Sequence, residues 1–473
     1  MKSSQTSLSP DQLLFNFFLA LLFWAPLPFA SNRPWGLALL FLGAAVLLAC
    51  WVTLWLQGKL PSANTRMRQL VFPVSLLVLV QFGVFCQTVP LPRALVAAIS
   101  PHAANLQLLP DRITFSLDPE LTRFQLLQGL TYCIGFVLAG ILVNGRERLR
   151  KFLWVLVISG AFQAVYGVLM TLSGLEYGFF VEKYSGQGLP TGTFVNRNNL
   201  AGYLVITLSA GIGLLISQLG GGDNPRTRLA WLRELVELLL GAKFRLRLML
   251  ALMVIALVLT RSRMGNLSFF LSLTITGAIC LLSSGRQVTG RVALLLASLI
   301  LVDMLIVGRW FGVEQVAERL VQPSASQDSR VEVSGDSLGI IRDFPWVGAG
   351  GGTFYTVFPN YSSAALSGDY YTHAHNDYLE MAGDLGLPLF GILAIFVAGT
   401  VTQAFRLQLK TESRLDRGRG FAVLMAVIWA AIHSLADFNL YIPANAFTLV
   451  ALMALGWLQR DEEIGKRGEI PKS

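Results

Sequence analysis

Two histidines stand close together in the stretch YTHAHNDYLEMAGDLG, which runs from residue 371 to residue 386. They are His373 and His375, and the whole chain has only 4 histidines. Side chains at i and i+2 share a face in an extended strand but point about 200° apart on a helix. A metal site of the HxH type would therefore need extended backbone and a third ligand, and no third ligand stands out in the sequence. We predict no metal and no cofactor.

The same stretch carries a helix start signal. Asp377 and Glu380 have the spacing of a capping box, which predicts a helix that begins near Asn376 or Asp377 and leaves His375 just outside its N-terminus. The partial positive charge of a helix N-terminus favours a neutral imidazole that can accept a proton, whereas the two carboxylates favour the imidazolium. The sequence does not decide between them, and the plainer alternative is two loop histidines beside an ordinary cap.

An arginine occupies a second predicted helix start, in TGTFVNRNNLAGYL. Asn198 or Asn199 is a suitable N-cap for the following apolar run, which places Arg197 at the helix N-terminus. A cation is electrostatically unfavourable there, and a bound anion would satisfy both the guanidinium and the free backbone N–H groups. The alternative is an arginine that reaches the lipid headgroups.

Two further arginines, Arg261 and Arg263, lie in LTRSRMGNL between two apolar segments. Ionisable groups close to the membrane are costly and usually face a partner or a wet cavity, although a single arginine also reaches headgroups by extending along the membrane. In HSLADFNLYIP, His433 and Asp437 are four residues apart and so share one helical face. A structural hydrogen-bonded pair is the favoured interpretation of those two residues.

Together these residues suggest one kind of chemistry. Arginine pairs suit a diphosphate, and a neutral histidine suits removal of a proton from an incoming hydroxyl. The set therefore indicates transfer of a group from a membrane-bound diphosphate onto an alcohol. Nucleotide-binding motifs are missing, since the chain has no P-loop, no GxGxxG after a strand and no DxD in an outer loop.

The elements that must position these residues are membrane helices. The chain of 473 residues is 54% hydrophobic and 14% charged, with a mean hydropathy of +0.58, whereas an ordinary soluble domain has roughly 25% charged residues. Four cysteines lie in apolar segments without a clustered pattern, which argues against a disulfide or zinc framework. The net charge of +9 is typical of basic cytoplasmic loops rather than of nucleic-acid binding in such a chain.

Apolar runs predict an all-α polytopic membrane protein with about twelve transmembrane helices. The predicted spans are residues 12–30, 35–56, 69–89, 124–143, 152–173, 199–219, 246–260, 265–282, 292–308, 385–403, 421–436 and 443–458. The boundaries around 246–282 are the least defined. Basic residues concentrate in alternate loops, such as 144–151 and 404–420, which predicts that both termini are cytoplasmic.

The same topology predicts external segments at 90–123, 174–198 and 309–384, the last with short helices of its own. We divide the chain into an N-terminal region, 1–150, that holds the first four spans and the loop 90–123. A membrane domain, 151–458, includes the loop 309–384, and residues 459–473 form a cytoplasmic tail. Under the positive-inside rule, the histidine cluster and the three arginines all lie at the outer boundary.

Five sequence pieces in order resemble the O-antigen ligase and O-antigen polymerase superfamily over about residues 150 to 458. They are FVNRNNLAGYL, RSRMGNL, the loop segment from DSRVEVSGDSLGIIRDFPWVGAGGGTF, HAHNDYLEMAGDLGLPLFG and HSLADFNLYIPANA. The resemblance implies a GT-C-type helical fold and a metal-independent glycosyltransferase. It implies that the donor is an undecaprenyl-diphosphate-linked glycan, the acceptor is a glycan or lipid-linked hydroxyl, and the active site is periplasmic on the bacterial inner membrane.

The resemblance also assigns roles. Arg197 and Arg263 would hold the donor diphosphate, and His375 would activate the acceptor hydroxyl. A second group would support them or bind substrate: Arg261, His373, Arg330, Asn376 and Asp437. Whether the acceptor is lipid A–core, as in lipopolysaccharide ligation, or another lipid-linked repeat, as in polymerisation or exopolysaccharide synthesis, stays open.

Two other classes of protein remain as alternatives. Some relatives are described in inorganic-carbon transport, and a transporter should carry charged or broken helices at mid-membrane, whereas the unusual charges here lie at the outer boundary. The other alternative is a non-catalytic, structural component of a polysaccharide export complex. Under that interpretation, replacing His375 or Arg263 would leave glycan output intact.

Overall fold

The computed structural model describes residues 9–60, 64–107, 111–218, 242–283, 325–363, 366, 370–411 and 413–458. Within these ranges the chain forms fifteen α-helices and two antiparallel pairs of two-residue strands. The helices are α1 Pro10–Trp24, α2 Pro34–Leu56, α3 Asn64–Gln87, α4 Arg93–Ile99, α5 Pro101–Leu106, α6 Pro119–Leu142, α7 Arg146–Leu172, α8 Arg197–Ser217, α9 Ala242–Leu259, α10 Arg263–Ser283, α11 Ala325–Asp343, α12 Phe354–Val357, α13 Asp377–Lys410, α14 Arg414–His433 and α15 Pro443–Trp457. The strands are β1 Leu91–Pro92, β2 Arg112–Ile113, β3 Tyr177–Gly178 and β4 Val181–Glu182.

Eleven of the twelve predicted spans coincide with helices, and the ninth, 292–308, lies outside the described residues. Among the described helices, seven are long and apolar enough to cross a membrane: α2, α3, α6, α7, α8, α10 and α13. The apolar helices α1 and α15 are shorter, and α9 and α14 each carry three or more charged residues. The chain is therefore an integral membrane protein, while the number twelve and the GT-C type stay predictions.

Helix α8 forms the centre of the bundle. In its most apolar 18-residue stretch, 94% of the residues are buried, as expected for a helix that is apolar on all sides. The helix packs against α7, α9, α10 and α14. Gly213 of α8 meets Gly418 of α14 so closely that a Cβ on Gly213 would lie 2.3 Å from the Gly418 carbonyl oxygen. Small residues of this kind let two membrane helices approach along their backbones. Arg197, at the start of α8, is therefore attached to the best-packed element.

Helix α13 is longer than the tenth predicted span, 385–403, because it begins at Asp377 and continues past a kink. The kink is at Gly386, whose φ of 75° is left-handed, and Pro388 follows it. A Cβ at Gly386 would lie 2.6 Å from the Trp346 carbonyl oxygen, so the backbone before the helix packs directly against the kink. The first turns of α13 therefore lie outside the predicted span, and they begin two residues after His375.

A small unit covers this end of the bundle. It combines α4, α5, α11, α12 and the β1–β2 pair around an apolar core of its own, which includes Val96, Ile113, Val333, Phe344 and Phe358. Its residues come from the predicted external segments 90–123 and 309–384, and helices α11 and α12 lie inside the second of these. The chain thus places two distant segments side by side above the helix ends.

Candidate functional site

A cavity of about 510 Å³ opens where the helix ends meet the small unit. Five segments line it: Arg197 and Asn198; residues 261–264; Arg330, Val331 and Ser334; His375 and Asn376; and residues 435–437. All the predicted site residues except His373 are among these. Folding has therefore gathered residues that are up to 240 positions apart in the chain.

Three helix N-termini converge on this cavity. Asn196 caps α8 by accepting a hydrogen bond from the N–H of Asn198 at 2.8 Å, and Ser262 caps α10 by accepting from Gly265 at 3.1 Å. Asn376 caps α13 through its Oδ1, which accepts from two N–H groups of the first turn at 3.1 and 3.2 Å. Each helix N-terminus carries a partial positive charge and favours anions. The convergence makes the cavity suited to a negatively charged group.

The cap of α8 differs from the prediction. Asn196, and not Asn198 or Asn199, has the extended backbone of an N-cap residue, with φ −111° and ψ 131°. The sequence NRNN offers asparagines at neighbouring positions, and side-chain type alone does not rank them. The consequence for Arg197 is unchanged, since it is the first residue of the helix.

The predicted capping box at α13 is also wrong in its pairing, although the helix start is correct. Asn376 is the cap, and Asp377 accepts a hydrogen bond from the Ser434 hydroxyl at 2.7 Å. Glu380 reaches further back than a capping box, to the N–H of Ala374 at 2.7 Å. Asparagine and aspartate are about equally favoured as N-caps, so side-chain type alone does not decide between the two neighbouring positions.

Four arginines line the cavity: Arg197, Arg261, Arg263 and Arg330. The other three each exert a like-charge interaction on Arg197, and Asp437 is the one carboxylate among the described lining residues. Such a concentration of guanidinium groups is unfavourable unless an anion neutralises it, and guanidinium binds phosphate oxygens in bidentate fashion. The cavity therefore has the electrostatics of a site for a multiply charged anion.

His375 faces Asp437 at the edge of the arginine cluster. The distance from His375 Nδ1 to Asp437 Oδ1 is 3.7 Å, which is longer than a direct hydrogen bond, and the two side chains are 22% and 1% exposed. Burial alone would raise the pKa of Asp437, but His375, His433 and the backbone N–H of Phe438 hold the pKa of this carboxyl below its usual value. Asp437 therefore presents a negative charge to the imidazole.

Two lining residues have left-handed backbones, which are uncommon outside glycine. His375 has a φ of 50° and Arg261 a φ of 52°. Backbones of this kind cost about 1–3 kcal/mol and persist only where the surrounding structure holds them. The backbone conformation at both residues is therefore held by the structure around it.

His373 lies away from the cavity lining. Its Nδ1 is 2.8 Å from Glu380 Oε1, and its ring stacks on Phe438 with centroids 4.1 Å apart and planes within 13°. It thus packs behind His375 rather than beside the arginines. Among the described residues, no group of three His, Cys, Asp or Glu side chains is arranged to hold a metal ion.

The predicted pairing of His433 with Asp437 on one helical face is wrong. Helix α14 ends at His433, so Asp437 lies in the following loop and no longer obeys helical spacing. His433 is buried, and its Nδ1 is 3.0 Å from the Asn439 side-chain nitrogen. Asp437 is instead a neighbour of His375.

Two polar lining residues escaped the sequence analysis. Ser262 caps α10 between the two arginines, and a serine directly before an apolar run is a recognisable N-cap signal. Ser334 follows Arg330 by four residues on α11, a spacing that puts both on one helical face. Either could have been found from spacing once the helix starts were known.

Residues 248–396 match the family model of O-antigen ligase. The match confirms the resemblance to the O-antigen ligase and polymerase superfamily, and it contains Arg261, Arg263, Arg330 and His375. It supports a ligase- or polymerase-like function in general, of glycosyltransferase type, with lipid-linked glycans as the substrate class that the family implies. A search of curated proteins finds no match.

Proposed function

We propose that the chain is a glycosyltransferase that moves an undecaprenyl-diphosphate-linked oligosaccharide or polysaccharide onto the hydroxyl of a glycan or lipid A–core acceptor. The observation that supports the proposal most directly is the cavity itself. It brings four arginines and three helix N-termini around one histidine. The transfer requires a positively charged site for the diphosphate leaving group and a group that accepts the proton of the hydroxyl.

The distribution of basic segments supports a periplasmic position for the cavity on the inner membrane. Helix α7 begins beside the basic segment 144–151, and its other end leads through residues 173–196 to Arg197. Helix α13 runs from the cavity to the basic segment 404–420. Both basic segments are thus one helix length from the cavity, and basic loops prefer the cytoplasmic side.

In the proposed mechanism, His375 accepts the proton of the acceptor hydroxyl, and Asp437 stabilises the imidazolium that forms. The hydroxyl oxygen forms a bond to the anomeric carbon of the donor as the bond from that carbon to the diphosphate oxygen breaks. The diphosphate leaves with the bonding electrons, and Arg197 and Arg263 neutralise its charge. The proton on His375 then passes to the released diphosphate or to water. The arginines thus perform the charge neutralisation in a metal-independent transfer.

The roles of the remaining residues follow from their places in the cavity. Arg261 and Arg330 complete the cluster around Arg197, and we propose that they bind the second phosphate or the first sugars of the donor. Asn376 caps α13 through its Oδ1 and donates a hydrogen bond from its side chain to the Leu435 carbonyl at 3.3 Å. It therefore supports the His375 backbone rather than contributing a charge.

The experiment uses the purified full-length protein with a glycan linked to a lipid diphosphate. Lengthening of the glycan with donor alone identifies a polymerase, and capping of an added core lipid identifies a ligase. His375→Ala and Arg263→Ala should each lower the rate of formation of either product by about 10²-fold or more. Product formation at the wild-type rate by both variants would refute the proposal, as would a wild-type protein that transfers to neither acceptor.

A further inference from the structure

Phe438 lies between the two histidines of the opening stretch. His373 stacks on one face of its ring, at 4.1 Å between centroids, and the His375 ring makes an edge-to-face contact with it, at 5.1 Å and an interplanar angle of 68°. The backbone N–H of Phe438 also donates to Asp437 Oδ1 at 3.0 Å. The position of this one phenylalanine therefore bears on both the imidazole of His375 and the carboxylate that faces it.

Glu380 contacts His373 and Ala374, the two residues that precede His375. One carboxylate oxygen is 2.8 Å from His373 Nδ1, and the other accepts a hydrogen bond from the N–H of Ala374 at 2.7 Å. The Glu380 side chain is only 2% exposed. A buried carboxylate that satisfies both oxygens in this way is a strong restraint on its partners, because breaking either contact leaves a buried charge without its hydrogen bond. Residues 373 and 374 are therefore fixed to the first turn of α13.

The segment after His375 is fixed by a different set of contacts. The side chain of Asn376 donates to the Leu435 carbonyl at 3.3 Å, and the N–H of Asp377 donates to the Ser434 carbonyl at 2.9 Å. His375 is thus held between two anchored flanks, and it has the left-handed φ of 50° between them. A strained backbone of this kind relaxes when one of its anchors is removed.

We infer that Glu380 is the positioning residue of His375: it holds His373 against Phe438 and residue 374 in place, and so orients the His375 imidazole toward the cavity and Asp437. The inference rests on the proposed function for its catalytic consequence but not for its structural content. The inference also assigns a role to His373, which does not line the cavity: its ring connects Glu380 to Phe438 and does not contact the substrate.

Three variants test the inference in the full-length protein. Glu380→Ala removes both contacts, Glu380→Gln keeps an oxygen that can accept from Ala374, and His373→Phe keeps a ring for stacking but loses the bond to Glu380. The matched controls are Glu147→Gln and His102→Phe, whose side chains are 80% and 53% exposed and lie outside the cavity lining. Thermal unfolding in detergent establishes which variants are folded.

The first measurement does not depend on activity. Diethyl pyrocarbonate acylates imidazoles, and mass spectrometry with peptide fragmentation gives the rate at His375 alone. We expect acylation of His375 to become at least threefold faster in Glu380→Ala and His373→Phe, with Glu380→Gln between them and the wild type. Both controls should react at the wild-type rate. An unchanged His375 rate in every folded variant overturns the inference, including when only one of the three variants folds.

The second measurement is glycan transfer. A misplaced catalytic group costs on the order of 100-fold in rate, so we expect kcat to fall about 10- to 100-fold in Glu380→Ala while the donor KM changes less than about twofold, because the arginines stay in place. Because a loss of folded protein also lowers the apparent kcat at constant KM, kcat is expressed per folded protein, and a purely structural role would then leave it at the wild-type value. If the wild-type protein transfers no glycan, the proposed function fails while the acylation rates still decide the inference. If the wild type transfers and the variants match it in both measurements, the inference alone fails.

Discussion

His375 and Asp437 face each other across 3.7 Å, although the family match that includes His375 ends at residue 396. The connection between them is made by the end of α14, where the chain leaves the helix at His433 and turns back toward the start of α13. The proton-accepting residue and its carboxylate therefore come from different parts of the chain. Their relative position depends on the contact between the loop that follows α14 and the first turn of α13.

Asp437→Asn should reduce catalysis without unfolding the protein. The amide has the shape of the carboxylate but no charge to stabilise an imidazolium on His375, so we expect kcat to fall by about 10²-fold, within the usual range for acid–base groups. Donor KM should change little. The measurement is steady-state transfer with the lipid-diphosphate donor, and Asp111→Asn, at an exposed position, is the control. Wild-type kcat in Asp437→Asn would show that His375 acts without this carboxylate.

The contribution of Asp437 to stability should depend on pH. Its folded pKa is lower than its usual value, so its ionised form stabilises the fold above the unfolded pKa, and this contribution disappears as the pH falls through the folded pKa. The difference in unfolding midpoint between the wild type and Asp437→Asn should shrink as the pH falls below about 4. Thermal unfolding in detergent at a series of pH values checks this. A difference that grows toward low pH would contradict the sign of the shift.

Single replacements of the cavity arginines by alanine should lower kcat/KM for the donor, and replacement by lysine should restore it only in part. Arg197→Ala and Arg263→Ala should each lower kcat/KM for the donor by about 10²-fold, since one charge-assisted contact to a transition-state anion contributes roughly 3 kcal/mol. Lysine retains the charge but not the planar pair of donors, so Arg263→Lys should recover only part of the loss. Arg406→Ala, at an exposed position on α13, is the control. Full recovery by lysine would argue for a point-charge role instead of bidentate binding.

The close contact between α8 and α14 should tolerate no side chain. A Cβ on Gly213 would lie 2.3 Å from the carbonyl oxygen of Gly418, and one on Gly418 would lie 2.2 Å from that of Gly213. Because backbone cannot move aside as a flexible side chain does, Gly213→Ala should destabilise the protein by about 1–3 kcal/mol. Gly391→Ala is the matched control, since nothing lies within 4 Å of a Cβ at that helical position. Equal unfolding midpoints for the two variants would show that the helices separate easily.

The sequence predicted which residues lie together better than it predicted the contacts between them. Arg197, Arg263 and His375 each stand at a helix start that local signals reveal, and helix starts at the same end of a bundle come together once the spans alternate. The pairing of Asp437 could not be predicted in the same way. Helical spacing suggested His433 as its partner, but α14 ends at that histidine, and only the tertiary turn that follows decides what the carboxylate faces.

The contacts of Glu380 could not be predicted for a related reason. Its spacing from Asp377 matches a local capping pattern, and a local pattern is the strongest signal that a sequence offers. In the folded chain the carboxylate reaches Ala374 and His373, which lie two and three residues before the cap. The stacking of His373 on Phe438 joins segments that are 65 positions apart in the chain, and no periodicity within either segment indicates it.

The kink at Gly386 divides α13 into two halves, each of which is held by different neighbours. Above the kink, α13 is bound to the loop before it, through the hydrogen bonds from Ala349 to Gly383 and from Gly350 to Asp384. Beyond the kink, Thr400 accepts a hydrogen bond from the Trp457 indole at 3.0 Å and Gln408 donates one to the Arg417 carbonyl at 2.7 Å, so this half of the helix is held by α15 and α14. The left-handed glycine therefore lets the two halves of α13 follow different neighbours, so that the first turns take their direction from the loop before the helix and not from the axis of the span.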